Sequence, residues 1–545
     1  MNSKYVRFSY LLATVWLMGL IYMVNWFLSL DEDKGLPEVF TNAHYSWNAQ
    51  TPPRGGPEPR LDGFVRGSRN TTLNLPPMPP SRETDIVRNS NVKSHSDIKS
   101  CFWPGPRGRI GFYTTDPDDY AHEREMADLG RTSSMSWFQL PEAGQLVLKG
   151  QYPHARMMSL TLYDEKGQVL DRTYDAALEP DGGSSNPYRR GVRRDIGLRN
   201  YTVFVVNGKA PAANRPYNTL YTQRKPGEAI GIDLRIFVPD QDRDWTGGVG
   251  LPKISLKVGE QVLDEDSACI RTLTEMRGLG LPNQGLSPKV WLALNELPWK
   301  EVSKSPADDF DFLGMQRFFN MEFSTLQSYV PLLELIQEYI PSLVKPEIRP
   351  QPFSDPYTQF GYGLINQLYA KVFVVQGRLP NTPRTHDQTT LPMSDNYEMR
   401  YWSLCTSSFP VTGLTTDCLH DENLRTLLDA QNQYTVVVSR LSERPNNATP
   451  RCGVQWLELG HGDGVPSGSR SYSALINRFT LSDPEFKRGW SDVDAPKRER
   501  QAMGAYRPFV VNLTDKERFE LLGCPVSAVV IERLKTGKDR SWRRR

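Results

Sequence analysis

The catalytic signatures that chains of this size often carry are missing. The 545 residues hold no G-x-S-x-G elbow, no P-loop, and no G-x-G-x-x-G after a strand. That removes the sequence case for a serine hydrolase, a P-loop nucleotidase or a dinucleotide-dependent enzyme. Histidine is scarce, with seven residues and no pair at metal-ligand spacing. His122-Glu-Arg-Glu-Met126 lacks the second histidine of H-E-x-x-H, so it cannot place two imidazoles on one helical face. None of the six cysteines forms a C-x-x-C pair, which argues against a zinc ribbon or a thioredoxin-type site. An excess of one charge is also lacking. Lys and Arg number 65 against 63 Asp and Glu, a net +2 that gives no reason to expect a nucleic-acid partner.

Long apolar runs are lacking as well, with one exception. Residues 8–30 carry no charge over 23 residues, enough to span a bilayer core of about 30 Å. Lys4 and Arg7 precede the run and Asp31, Glu32 and Asp33 follow it, which predicts a cytoplasmic tip at 1–7. A cleaved signal peptide would need a small-x-small site after the run, and Asn25-Trp-Phe-Leu-Ser-Leu30 offers none. The expectation is an uncleaved, single-pass signal anchor in a bacterial inner membrane, with the bulk of the chain periplasmic. Residues 31–100 hold nine prolines and few apolar residues, and read as a disordered tether. The tail at 531–545 is basic; from Arg533 onward it has seven basic residues and one acid, the pattern of a solvated end or a polyanion contact.

From Cys101 the composition is globular, and the chain writes one pattern twice. Gly150 with Pro153, Arg156-Met-Met-Ser-Leu160, Tyr201-Thr-Val-Phe-Val205 and Arg235 with Asp240 come first. Gly377 with Pro380, Arg400-Tyr-Trp-Ser-Leu404, Tyr434-Thr-Val-Val-Val438 and Arg478 with Asp483 follow in the same order. Four shared words in register argue for a duplicated unit. Met158, Leu160 and Leu162 alternate with Ser159, Thr161 and Tyr163, a period of two that means strand. The predicted fold is mostly β, with two related β-sandwich or jelly-roll units at 101–283 and 371–530. A helical segment at 284–370 should join them. Within it Pro306 with Asp308 and Asp309 has the form of a helix start, Pro331 should divide the run, and Tyr357 to Tyr369 suggest a further helix. The duplication requires Arg156 and Arg400 to fall on equivalent strands.

Six cysteines outside the cytoplasm suit disulfides, with 15 possible pairings. Closeness favours Cys405 with Cys418; Cys101 with Cys269 would bracket the first unit, and Cys452 with Cys524 would close the second. Free thiols are the alternative.

Arginines inside apolar strands need partners. Arg156, Arg235 and Arg478, with Asp240 and Asp483, read as a structural Arg–Asp clamp inside each unit. The functional alternative is a basic, aromatic pocket of Arg400, Tyr401 and Trp402 for an anionic or sugar ligand, beside the polar loop from Thr382 to Glu398 with its His386. His461 and Asp463 sit in a polar loop after the strand Gly453 to Leu457. Asp240, Asp242 and Asp244 alternate ahead of glycines, a weak calcium pattern, since position 12 of the run is Leu251 where an EF-hand has Glu. An acidic turn is the ordinary reading, and no cofactor is expected.

Arg400-Tyr-Trp-Ser-Leu-Cys405, Phe237-Val-Pro-Asp240 with Thr246-Gly-Gly-Val-Gly-Leu-Pro252, and Gly453-Val-Gln-Trp-Leu457 resemble a family of uncharacterised exported bacterial proteins over roughly residues 101 to 525. The resemblance implies export and β-sandwich units and carries no activity. Two functions stay open. One is a membrane-anchored envelope protein that binds or scaffolds a glycan, another envelope ligand or a partner protein. The other is an envelope-polymer hydrolase or lyase, which would need two of His386, Asp395, His461 and Asp463 in one cleft. With so few catalytic features, the reading leans away from an enzyme.

Overall fold

The computed structural model describes residues 100–103, 130–165, 167–273, 355–367, 370–393, 396–408, 415–459, 472–493, 498–526 and 531. The expected anchor at 8–30, the tether, the helical pattern between Pro306 and Ile340, and the tail beyond Ile531 lie outside these residues. Among the described residues no helix is long and apolar enough to cross a membrane.

The fold is mostly β. The first nine strands are β1 (Arg131–Gln139), β2 (Gly144–Gln151), β3 (Ala155–Tyr163), β4 (Val169–Tyr174), β5 (Asn200–Val206), β6 (Thr219–Tyr221), β7 (Ala229–Pro239), β8 (Lys253–Val258) and β9 (Gln261–Leu263). Eight more follow: β10 (Thr358–Asn366), β11 (Val372–Arg378), β12 (Met399–Ser408), β13 (Thr415–His420), β14 (Gln433–Ser439), β15 (Gln455–Glu458), β16 (Tyr472–Ser482) and β17 (Phe509–Leu513). Short helices punctuate them: α1 (Glu265–Thr272), α2 (Asp421–Leu424), α3 (Glu499–Met503) and α4 (Lys516–Glu520).

Among the described residues four sheets result, and their orders repeat. One sheet runs β1-β7-β3-β4 and another β10-β16-β12-β13. The other two run β6-β5-β2-β8-β9 and β15-β14-β11-β17. Adding nine to each strand number of the first set, β9 apart, gives the second. The register repeats too. Ser159 pairs with Arg235 as Ser403 pairs with Arg478, and Gly150 pairs with Tyr201 as Gly377 pairs with Tyr434. Both sets contain an unusual parallel pair, β5 with β6 and β14 with β15. Arg156 and Arg400 therefore stand on equivalent strands, at equivalent positions.

Each set fills one apolar cluster from both of its sheets. In the first, Leu146, Val203 and Leu256 on one sheet meet Leu160, Ile232 and Leu234 on the other. In the second, Phe373, Tyr434 and Val436 meet Trp402, Leu404 and Phe479. Each such side chain contributes roughly 1.5–3 kcal/mol on burial. β3 and β12 are buried along their whole lengths, on both faces, because each lies inside its sheet and is covered on either side. An arginine in either strand cannot reach water.

Residues 358–366 form a strand where the apolar spacing suggested a helix. Two glycines in five residues, Gly361 and Gly363, cost helix propensity, and the place of β1's counterpart beside β16 is filled by this segment, paired along all nine residues. Gly361 also admits the Trp490 ring where any Cβ would collide.

Three disulfides form: Cys101–Cys269, Cys405–Cys418 and Cys452–Cys524. They are the pairs that spacing and bracketing favoured. Cys405 and Cys418 stand opposite each other on β12 and β13, which is why residues only 13 apart in sequence can be bridged.

Candidate functional site

Tyr174 and His420 are the last residues of β4 and β13, and each pairs with the serine three residues after the strand arginine. The next residue is an aspartate in both sets, Asp175 opening a short 3-10 helix and Asp421 opening α2. Within one set, the arginine of β3 could meet Asp175, and that of β12 could meet Asp421. The structure crosses them instead. Arg156 Nη1 donates to Asp421 Oδ1 at 2.5 Å, and its Nη2 to Glu422. Arg400 Nη2 donates to Asp175 Oδ1 at 2.5 Å. The two pairs are reciprocal, as at an isologous dimer contact, but within one chain.

All four residues are buried at 0–2 % exposure, so the pairs are desolvated and depend on each other. Asp175 also accepts the N–H groups of Met158 and Ala176, both at 2.6 Å. Its carboxyl is still held above the ordinary range, because burial outweighs the pull of Arg400. Burial acts on Asp421 as well, but Arg156, His420 and Arg425 together drive that carboxyl well below the ordinary range. The two equivalent aspartates thus shift in opposite senses because one faces a single cation and the other several.

Apolar contact completes the seam. Met157 and Tyr401, equivalent residues of β3 and β12, share a cluster with Phe237 and Val238. The Tyr401 ring meets Phe237 edge-on at 5.2 Å. Asp355 adds a further carboxylate, 3.7 Å from Arg235 and 3.9 Å from Arg131.

The clamp within each unit is therefore corrected. Arg235 pairs with Asp233 two residues away on its own strand, at 2.8 Å, and lies over the Tyr163 ring. Arg478 donates to the Cys405 sulfur at 2.9 Å and lies over Phe360. Asp240 and Asp483 do share a role, but through their backbones. The Asp240 N–H bonds the carbonyl of His154, and that of Asp483 the carbonyl of Glu398, each just ahead of the arginine strand. Their side chains diverge, since Asp240 pairs with Arg194 while Asp483 accepts the Glu485 N–H at 2.8 Å.

The aromatic pocket is likewise corrected. Arg400 lies over the rings of Tyr188 and Tyr397, inside the seam. Trp402 points into its own core against Tyr434 at 5.1 Å, because side chains alternate along a strand. His386 Nδ1 lies 3.0 Å from the Pro239 carbonyl, and the His386 carbonyl accepts the Gln241 N–H. The loop that carries His386 is thus tied to the first set of sheets, with Arg194 donating to the carbonyls of Thr385 and Gln388 at 2.9 and 3.0 Å. Asp395, His461 and Asp463 lie outside the described residues.

The calcium pattern does not assemble. Asp240 is engaged with Arg194, and Asp244 Oδ1 accepts the N–H groups of Thr246 and Gly248, at 2.8 and 3.0 Å, as an acidic turn does. Among the described residues no group of three His, Cys, Asp or Glu side chains could hold a metal ion.

Sequence reasoning missed Asp175, Asp421, Glu422 and Arg194. A usable signal was present for the aspartates, since both stand 19 or 21 residues after their strand arginines, as 156 to 175 and 400 to 421.

No family model and no curated protein matches the chain. Among solved structures it is similar to an uncharacterised protein from Burkholderia cenocepacia, at 11 % identity over 77 % of this chain and 84 % of that one, with a TM-score of 0.33. A protein from Vibrio parahaemolyticus is similar at 10 % identity over 71 % and 89 %, with a TM-score of 0.32.

Proposed function

We propose that the chain is an exported scaffold of the bacterial envelope, made of two copies of one β-sandwich locked into a single rigid body. Residues 8–30 anchor it in the inner membrane and residues 31–100 hold it away from the lipid. Its task is to present a fixed two-unit surface to an envelope ligand, a glycan or a partner protein. The reciprocal Arg156–Asp421 and Arg400–Asp175 pairs carry this reading. Buried ion pairs add little net stability, yet they fix one relative placement, because any slip strands a charge in an apolar seam. The three disulfides fit an oxidising compartment.

Two measurements test it. The full chain should fractionate with membranes, and deletion of 8–30 should release it. The full chain in detergent, applied to a glycan array and to cross-linked envelope extracts, should capture a ligand that the Arg156→Met, Asp421→Asn variant captures less well. Retention in the cytosol, or capture of no glycan and no protein, overturns the proposal.

A further inference from the structure

Both faces of the β1-β7-β3 part of the first sheet are buried. On the inner face Phe138, Leu160, Ile232 and Leu234 join the first core. The outer face is divided. At one end Met157, Phe237 and Val238 pack with Tyr401 of the second set. At the other end Met135, Trp137 and Tyr163, all at 0 % exposure, form a separate cluster with Ala229. All four belong to this sheet, so among the described residues no apolar side chain of another element joins the cluster. Met135 and Trp137 fold over Gly231, where a Cβ would sit 2.7 Å from Met135 Cε and 3.0 Å from the Trp137 ring. Asp233 and Arg235, paired at 2.8 Å on the same face, are equally buried. An antiparallel sheet commonly leaves the face turned from its core to water. Full burial of a tryptophan and an ion pair there calls for a second apolar layer.

The path of the chain says which segment supplies that layer. Leu273 forms a bridge with Phe138 near the end of β1. Asp355 lies 3.7 Å from Arg235 and 3.9 Å from Arg131, at the start of β1 and on the outer face. Tyr357 then packs against the Met157 and Phe237 cluster. Residues 274–354 thus leave β1 at one end and return at the other, roughly 23 Å away by strand rise. Within them Phe310, Leu313, Leu333, Ile336 and Ile340 recur at steps of three and four on either side of Pro331, a stripe that needs an apolar surface to bury it. Residues 104–129 border the same sheet but start from its inner side. Phe102 lies in the first core, and its carbonyl accepts the Ser136 hydroxyl.

We propose that residues 306–343 dock this stripe on the outer face of β1, β7 and β3, against Met135, Trp137 and Tyr163. The segment is then a third layer of the first unit rather than a spacer between two units, and it keeps water from the Asp233–Arg235 pair.

The test uses the full chain in detergent. Benzoylphenylalanine in place of Ala229, the half-buried member of the cluster, should cross-link on illumination to a peptide within 306–343 of the same chain, read by mass spectrometry. Attachment to 104–129, to a second copy or to another protein names a different occupant and overturns the proposal. Absence of any cross-link overturns it as well. Hydroxyl-radical footprinting gives an independent reading. Met135 and Trp137 should be protected in the wild type and should lose protection in the Leu333→Asp, Ile336→Asp variant, while Trp402, in the second core, stays protected. Equal protection of Trp137 in both chains overturns the proposal. Loss at Trp402 too would mean that the variant has unfolded, and the cross-link, made without those substitutions, then decides. Either result leaves the scaffold reading to its own tests, since none of the four crossed ion-pair residues belongs to this cluster.

Discussion

At the residue scale, the chemistry is that of charges with no access to water. Arg400→Met strands the buried Asp175 carboxylate and should cost about 3–5 kcal/mol in chemical denaturation. Arg400→Met with Asp175→Asn should recover most of that loss, because removing both charges also removes the desolvation cost; strictly additive losses would show that the pair is not coupled. The acid response should follow Asp421. Its carboxyl is depressed in the folded chain, so its contribution is fully present above the unfolded value of about 3.9 and is lost as pH falls toward the lower folded value. The stability difference between wild type and Asp421→Asn should therefore be constant near neutrality and shrink below about pH 4, read from urea midpoints across pH. Asp175, shifted upward, has the opposite sign, and acid relieves its strain.

At the element scale, the repeated glycine explains itself. Gly150 and Gly377 each lie under the tyrosine opposite them, where a Cβ would meet the hydroxyl at 2.7 and 2.8 Å. Gly377→Ala should cost roughly 1–3 kcal/mol by overpacking. The Tyr434 hydroxyl is buried without a partner, so Tyr434→Phe should be neutral or stabilising and should rescue part of the Gly377→Ala loss. Differential scanning calorimetry of the two single variants and the double variant decides; additive behaviour would mean that the ring does not cause the glycine. Strands β3 and β12 illustrate the converse. Their period of two was legible in the residues, but their burial on both faces follows only from lying inside their sheets against a second set.

At the scale of the whole molecule, covalent ties and the crossed pairs act on different states. Cys101–Cys269 closes a span of 168 residues and Cys405–Cys418 one of 13. By chain entropy the first should stabilise by about 5 kcal/mol and the second by about 3. Replacing each pair with serine should rank in that order in denaturant midpoint, and the reverse order would mean that the unfolded chain is already compact around Cys101.

Much of the architecture was readable in the residues. Alternation marked the strands, the shared G-x-x-P, R-x-x-S-L and Y-T-V words marked the repeat, and spacing proposed the cysteine pairs, because each of these depends on neighbours or on a pattern written along the chain. The partners of Arg156 and Arg400 were not readable. They lie 265 and 225 residues away, in the other set of sheets, and nothing local distinguishes a pair made within one set from one made across to the other. The strand at Thr358–Asn366 was hidden for the same reason, since its place is set by β16, more than a hundred residues on. Local residues decide how a segment prefers to run; which buried charge meets which is decided where two surfaces close and the solvent that would have answered either charge is expelled.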